Sequence, residues 1–195
     1  MTTQALAELL GEIRACRVCE ASLPLGPRPV LRASATARLI ICGQAPGTKV
    51  HVSGRPYSDR SGERLRAWLA MDEATFYDES RVAIVPMGFC YPGRDDRGGD
   101  LPPRVECAPL WRSRILALMP QVELTLLVGQ YAIAWHLAGR TKGSLSETVA
   151  AWRDYQPQIW PMPHPSWRNT GWLRRNPWFE RDCLPALRRQ VHALL

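Results

Sequence analysis

Four short apolar runs, separated by stretches with helical periodicity, constrain the fold of this chain most strongly. The strands they predict cover residues 38–42, 82–85, 124–128 and 159–162, and the first apolar run itself is 39–42. Short apolar runs bounded by Gly or Pro are typical of strands that are buried on both faces, as in parallel sheets. Strands that alternate with helices predict an α/β protein, a three-layer α/β/α sandwich with a small, mainly four-stranded parallel sheet.

The remaining segments complete this prediction. We expect helices over residues 3–15, 61–71, 106–119, 130–138, 144–152 and 177–194. Residues 90–103, rich in Gly, Pro and Asp, form a loop, and loops of that length are usually functional or disordered. With 195 residues, the chain is expected to fold as one domain over 1–195.

A candidate ligand loop follows the first strand. It reads Gly43, Gln44, Ala45, Pro46 and Gly47. Ligands of parallel sheets bind just past the carboxyl ends of strands, and glycines let the backbone approach a ligand closely. Tyr57, ten residues farther on, offers an aromatic face for stacking. The same residues are equally consistent with a turn that has only a structural role.

The charge of the chain favours a polyanionic partner. The formal net charge is +7, and 23 of the 25 basic residues are Arg. Arginine suits phosphate and base contacts, and basic proteins bind nucleic acids through counterion release. Residues 164–195 contain six arginines, with tryptophans nearby; a solvated helix face and core tryptophans are the alternative explanation.

The sequence argues against a membrane protein. No apolar run approaches the roughly 18 residues of a membrane span, and the N-terminus has no signal-peptide character. We therefore expect a cytoplasmic protein, and we expect a monomer.

Six cysteines in a cytoplasmic chain need an explanation other than disulfides. Cys16 and Cys19 form a C-x-x-C motif, and Cys90 and Cys107 form a second pair. Four thiolates from two segments would suit a tetrahedral zinc or a [4Fe–4S] cluster, whereas unrelated structural cysteines are the alternative. The other two, Cys42 and Cys183, are expected to be buried and inert.

Taken in order, five motifs resemble the uracil-DNA glycosylase superfamily, and most closely its iron–sulfur (family 4) branch. They are the C-x-x-C motif, the GEAPG-type loop at residues 43–47, the G-R-P-[FY] segment at 54–57, the second cysteine pair and the H-P-S motif at 164–166. The resemblance implies a [4Fe–4S] cluster on the four cysteines rather than zinc. It also implies a DNA glycosylase of base excision repair that flips a uracil or related deaminated base out of DNA and hydrolyses its N-glycosidic bond.

The same resemblance implies roles for individual residues. His164 would donate a hydrogen bond to the leaving base, and Tyr57 would stack on that base, an interaction worth roughly 1–3 kcal/mol. The backbone of residues 43–47 would bind the base or hold water. The residues assigned to phosphate contacts and to the gap left by the flipped nucleotide are Ser166, Arg168, Asn169 and Trp172.

The motifs also depart from the family pattern. Gln44 replaces the Glu of the GEAPG motif, and Ala45 stands where another branch has a water-activating Asp. Asp59 and His51, expected in the loop after Gly47, are the nearest substitutes. Candidate catalytic residues are therefore His164, Asp59, His51 and Gln44.

The position of the uracil-reading Asn is also changed. Pro86 stands there, so we assign base readout to the backbone of Met87 and Gly88. Two other functions stay open: a weak or inactive DNA-damage-binding relative, and a small-molecule α/β enzyme that uses zinc.

Overall fold

The computed structural model describes residues 2–96 and 98–195. At its centre lies a four-stranded sheet with the order β2-β1-β3-β4, in which every neighbouring pair is parallel. All four strands are largely buried, which explains their mostly apolar sequences. The predicted sheet is confirmed. Its strands are β1 Leu39–Cys42, β2 Val82–Ile84, β3 Leu124–Val128 and β4 Ile159–Met162.

Nine α-helices are found in the part of the chain that the structure describes. They are α1 Thr2–Arg14, α2 Thr48–Ser53, α3 Arg60–Leu69, α4 Glu73–Phe76, α5 Cys107–Ala117, α6 Gln130–His136, α7 Leu145–Ala150, α8 Thr170–Arg175 and α9 Leu184–Leu194. Short 3-10 turns cover Glu20–Ser22, Trp152–Tyr155 and Trp167–Asn169.

The chain reverses its direction across the sheet after β2. The connection from β1 to β2 leads toward one edge, and the next connection returns past β1 to β3. Because parallel crossovers are right-handed, the helices of these two connections cover opposite faces. One face carries α3 packed on α9, and the other carries α1 packed on α5. The result is the predicted three-layer sandwich, with its topological switch point between β1 and β3.

Some helices differ from the sequence prediction. The short helices α2, α4 and α8 were not predicted, because four to six residues show too little periodicity. The predicted helix 144–152 ends at Ala150 and continues as a 3-10 turn. The predicted helix 177–194 contains a π-helical turn, Phe179–Cys183, before α9 begins.

The core surrounds the sheet. Trp160 of β4 is fully buried and stacks on Trp152 with ring centroids 4.3 Å apart. Cys42 and Cys183 are both 0% exposed, as expected for structural thiols. No helix within the two described ranges is long and apolar enough to cross a membrane.

Candidate active site

A cleft of about 250 Å³ opens at the carboxyl edge of the sheet, at the switch point between β1 and β3. It is lined by residues 43–47 after β1, by Tyr57 and Asp59 before α3, and by His164 after β4. Strand ends at a switch point are where α/β sheets bind ligands. The fold therefore gathers sequence-predicted residues that are up to 121 positions apart.

The loop at 43–47 is fixed from behind by the segment that follows β2. The N–H of Met87 donates to the carbonyl of Gly43, and the N–H of Gly88 donates to the carbonyl of Gln44, both at 2.9 Å. Neither Met87 nor Gly88 lines the cleft; Pro86 does, but it has no N–H. The two backbone donors that we assigned to base readout are instead used to hold the loop.

Tyr57 packs tightly against the same loop. A Cβ built on Gly43 would lie 2.5 Å from the Tyr57 hydroxyl, so only glycine fits there. The Tyr57 backbone has φ 54°, and a Cβ on Gly62 would lie 1.8 Å from the Tyr57 carbonyl oxygen. Burial raises the pKa of Tyr57 well above its usual range, so the phenol is neutral. Its hydroxyl is buried and lacks a hydrogen-bond partner within the described residues.

His164 is held with one ring nitrogen satisfied. The N–H of Ser166 donates to Nδ1 of His164 at 3.2 Å, and the Asn169 amide donates to the His164 carbonyl at 2.7 Å. Since Nδ1 accepts, the neutral ring carries its proton on Nε2. Burial lowers the pKa of His164, and the carboxylates of Asp59 and Asp100 partly oppose that shift. The site thus contains a neutral imidazole with Nε2–H as its donor.

The two substitutes proposed for the missing carboxylate lie in different environments. Asp59 lines the cleft and caps α3, where its Oδ1 accepts a hydrogen bond from the N–H of Gly62 at 3.1 Å. His51 was expected in a loop, but it lies in α2, buried, with its ring 6.1 Å from that of Tyr91. It does not line the cleft. Burial lowers its pKa.

Part of the long loop at 90–103 reaches the cleft. Asp100 forms an antiparallel bridge with Arg94, and the two residues line the cleft. The Gln44 amide nitrogen donates to the carbonyl of Leu101 at 2.9 Å and to that of Asp100 at 3.4 Å. Sequence reasoning did not single out Asp100, because no pattern links it to a loop 56 residues earlier.

The family of this chain is decided by a protein-family model for the Uracil DNA glycosylase superfamily, which matches residues 32–188. The chain belongs to the uracil DNA glycosylase superfamily. The matched span includes all four strands and every cleft residue described above, but it excludes Cys16 and Cys19. Family membership implies DNA as the substrate and a glycosylase-like site.

One solved structure is similar to this chain. It is the solution NMR structure of a protein from Methanosarcina acetivorans that was assigned provisionally as a uracil DNA glycosylase. The sequences are 12% identical, the match covers 81% of this chain and 93% of the other, and the TM-score is 0.47.

The four residues assigned to DNA contacts fall into two groups. Ser166 and Arg168 line the cleft, and Arg168 donates to the carbonyl of Gly98 at 2.8 Å. Asn169 instead positions His164. Trp172 does not line the cleft; its indole N–H donates to Ser146, and its ring packs on Trp178 and Phe179.

Trp167, which sequence reasoning missed, is the aromatic residue at the mouth of this glycosylase-like cleft. It lines the cleft, and it is 69% exposed. The Arg168 guanidinium lies 5.2 Å from the centre of its ring. The sequence contained no signal that distinguishes exposed Trp167 from packed Trp172.

Most C-terminal arginines do not face the cleft. Arg188 donates to the carbonyls of Ala67 and Trp68 at the end of α3, and Arg181 pairs with Asp182. The last residues of α9 meet Arg38 at the amino edge of the sheet, opposite the cleft. Of the six arginines in 164–195, Arg168 lines the cleft; the other cations that line it are Lys49, Arg60 and Arg94.

The four predicted cysteine ligands line one second cavity. Its walls are otherwise largely apolar, and the cavity lies between the segment after α1 and the segment that leads into α5. The backbone N–H of Arg28 bonds to the Cys90 sulfur, and that of Phe89 bonds to the Cys107 sulfur. Burial, with repulsion from the neighbouring thiols, raises the pKa of Cys90 to about 11 and that of Cys107 to about 12.

These thiols are not arranged around one point. In residues 2–96 and 98–195, no group of three or more His, Cys, Asp or Glu side chains could hold a metal ion. A single zinc needs all its sulfur ligands about 2.3 Å from one centre. A cluster with several irons takes one thiolate at each iron, so its ligands are spread around a larger volume.

Proposed function

We propose that this protein is a DNA glycosylase of base excision repair, which takes a flipped uracil or related deaminated base into the cleft and hydrolyses its N-glycosidic bond. The observation that carries the proposal is His164, held beside the 43–47 loop with a neutral ring and a donor Nε2–H. A donor of this kind, in a chain of this superfamily, suits the departure of a base from a sugar.

The chemistry requires stabilisation of two opposite charges. When the bond between C1′ and the base breaks, the sugar becomes oxocarbenium-like and the base becomes an anion. A hydrogen bond from Nε2 of His164 to a base carbonyl oxygen strengthens as negative charge develops there. A neutral imidazole stabilises the base anion by donating a hydrogen bond, and it keeps its proton throughout the reaction. Tyr57, which lines the cleft, supplies a stacking surface for the base.

DNA contacts are assigned to residues around the mouth. Trp167 is exposed and aromatic, so it suits the space that the flipped base leaves in the stack. Lys49, Arg60 and Arg168 line the same cleft and suit phosphate contacts. Arg168 must exchange its hydrogen bond to Gly98 for such a contact.

We also propose that Cys16, Cys19, Cys90 and Cys107 hold a [4Fe–4S] cluster, as in the iron–sulfur branch, with zinc as the alternative. The support is one shared cavity with mostly apolar walls, together with N–H groups that face two of the sulfurs. When bound, the cluster would stabilise the fold by joining the segment after α1 to the start of α5. This cofactor and a DNA substrate are consistent with a cytoplasmic protein.

The glycosylase proposal is tested with uracil-containing single- and double-stranded oligonucleotides, in which abasic product and DNA binding are measured in parallel. We expect abasic product from the wild type, and a loss of about 100-fold or more in the single-turnover rate for His164→Ala. His51→Ala is the matched control, because His51 lies outside the cleft, and it should keep the wild-type rate. Binding without product in the wild type, unchanged by His164→Ala, would instead support the damage-binding relative that Gln44 and Ala45 suggest.

The cluster proposal has its own test. Protein purified without oxygen should be brown and absorb near 400 nm, and Cys107→Ala should lose that absorbance. Colourless protein that contains one equivalent of zinc would contradict it.

A further inference from the structure

We infer that Asp100 supplies the catalytic carboxylate that the 43–47 loop lacks, and that Gln44 positions Asp100 in the cleft. This inference rests on the proposed glycosylase function. It assigns a role to two residues: a carboxylate on a distant loop, and an amide that stands where the family motif has an acid.

The Asp100 carboxylate lies in the cleft, near the end of the ligand loop. Asp100 lines the cleft together with His164, and its Oδ2 lies 3.7 Å from the Cβ position of Gly47. It is close enough to His164 to oppose, through its charge, the effect of burial on the imidazole. The carboxylate therefore faces Gly47, at the end of the ligand loop whose positions 44 and 45 carry no acid.

Asp100 is carried by a short hairpin. Its two arms, residues 93–96 and 98–101, are joined by hydrogen bonds from Leu101 N–H to the Gly93 carbonyl and from Asp95 N–H to the Gly99 carbonyl. The hairpin is tied to one wall of the cleft by Gln44 and to the other by Arg168. The tie from Gln44 is kept when Arg168 exchanges its hydrogen bond for a phosphate contact, so Gln44 fixes Asp100 over the cleft.

The hairpin also accounts for the amide at position 44. The Gln44 NH₂ group donates to two backbone carbonyls, those of Asp100 and Leu101. An ionised Glu at this position has no donor, so its oxygens would meet two carbonyl oxygens and repel them. Gln44 is therefore required for the hairpin to lie where it does, and an acid at position 44 is incompatible with it.

The carboxylate is also available for chemistry. Its ion pair with Arg94 is long, 3.6 Å from Nε to Oδ1, and both side chains are about half exposed, so the pair contributes little. Asp59, by contrast, uses Oδ1 to cap α3. Of these two cleft carboxylates, Asp100 is the one not used to fix a helix terminus.

Asp100 is assigned the proton of the attacking water. The C1′–N bond breaks and its electron pair leaves with the base, whose carbonyl oxygen accepts a hydrogen bond from His164. A water oxygen forms the new bond to C1′ and passes one proton to the Asp100 carboxylate. That proton then moves to solvent, and the base anion takes a proton from solvent.

The experiment compares single-turnover excision and DNA binding in four variants. Asp100→Asn keeps the shape of the side chain and should lose about 100-fold or more in rate, with DNA affinity within threefold of wild type. Asp96→Asn makes the same charge change in the same hairpin, outside the cleft lining, and should keep the wild-type rate. Gln44→Glu should lose at least tenfold, although it restores the family letter. In an Asp100→Asn background, Gln44→Glu should have almost no further effect, because it acts through Asp100.

A second readout does not depend on activity. NMR titration of His164 should show a lower imidazole pKa in Asp100→Asn than in wild type, and no change in Asp96→Asn. Circular dichroism checks that each variant is folded.

Three results would overturn the inference: Asp100→Asn within threefold of the wild-type rate, Gln44→Glu faster than wild type, or additive losses in the double variant. A wild type that excises no base overturns the proposed function together with the inference. Any of the three results above with an active wild type overturns the inference alone. An unchanged His164 titration in Asp100→Asn contradicts the location of the carboxylate.

Discussion

The contact between Gly43 and Tyr57 gives the sharpest test of the structure at the bottom of the cleft. In Gly43→Ala, the new methyl group would lie 2.5 Å from the Tyr57 hydroxyl and 3.4 Å from the ring carbon that bears it. The ring has little room to retreat, because its edge meets Phe76 and its carbonyl lies against Gly62. Overpacking of this kind costs about 1–3 kcal/mol of unfolding free energy.

Tyr57→Phe should have the opposite effect. It removes a buried hydroxyl for which the described part of the chain offers no partner, so we expect stabilisation of about 1 kcal/mol. In the double variant the clash disappears with the hydroxyl. Its stability should therefore lie near that of Tyr57→Phe, about 1 kcal/mol above wild type, with a coupling free energy of about 1–3 kcal/mol between the two sites.

Urea unfolding followed by circular dichroism measures all four proteins of this cycle. Gly11→Ala is the matched control: Gly11 lies in α1 with open space around its Cβ position, so it should gain about 0.5–1 kcal/mol. Additivity of the two single effects within about 0.5 kcal/mol would refute the predicted contact.

Three further stability predictions follow from single residues. Burial lowers the pKa of His136 from 6.5 to about 4, so the unfolded chain binds the proton first as pH falls. The contribution of neutral His136 to the free energy of unfolding is therefore complete above pH 6.5, and about 3 kcal/mol of it should be lost by pH 4. If the difference in unfolding free energy between wild type and His136→Gln stayed constant from pH 6.5 to pH 4, this prediction would be contradicted. Asp59→Ala should lower the free energy of unfolding by about 1 kcal/mol through loss of the α3 cap, as measured by urea unfolding. Asp59→Asn should keep most of that stability, because Asn also caps helices well. Gly62→Ala should abolish cooperative unfolding, because its Cβ would lie 1.8 Å from the Tyr57 carbonyl oxygen; a sharp thermal transition would count against it.

The sheet could be predicted because its strands are short, apolar and bounded by Gly or Pro. Strands that are buried on both faces have apolar residues at nearly every position, so they can be recognised in the sequence. The helix α2 cannot be recognised in this way, since six residues with two buried positions show no period. His51 was therefore assigned to a loop, whereas it is buried in a helix outside the cleft.

The candidate site could be predicted only where it follows strand ends. Residues 43–47 and His164 come directly after β1 and β4, so the parallel sheet brings them to one edge. Asp100 depends on a hydrogen bond from Gln44 across 56 positions, and no local pattern encodes it. Likewise, packing alone separates Trp167 at the mouth of the cleft from Trp172 against the core.

The central claim is that the cleft excises a base with the help of neutral His164. The most direct measurement is the single-turnover release of base from oligonucleotides that contain uracil, hypoxanthine, xanthine or 5-substituted uracils, with wild type and His164→Ala side by side. We predict base release from at least one of these substrates by the wild type, and a rate about 100-fold or more lower for His164→Ala. The claim would be contradicted if no base were released from any of these oligonucleotides with enzyme in excess. Equal rates for wild type and His164→Ala would contradict it as well.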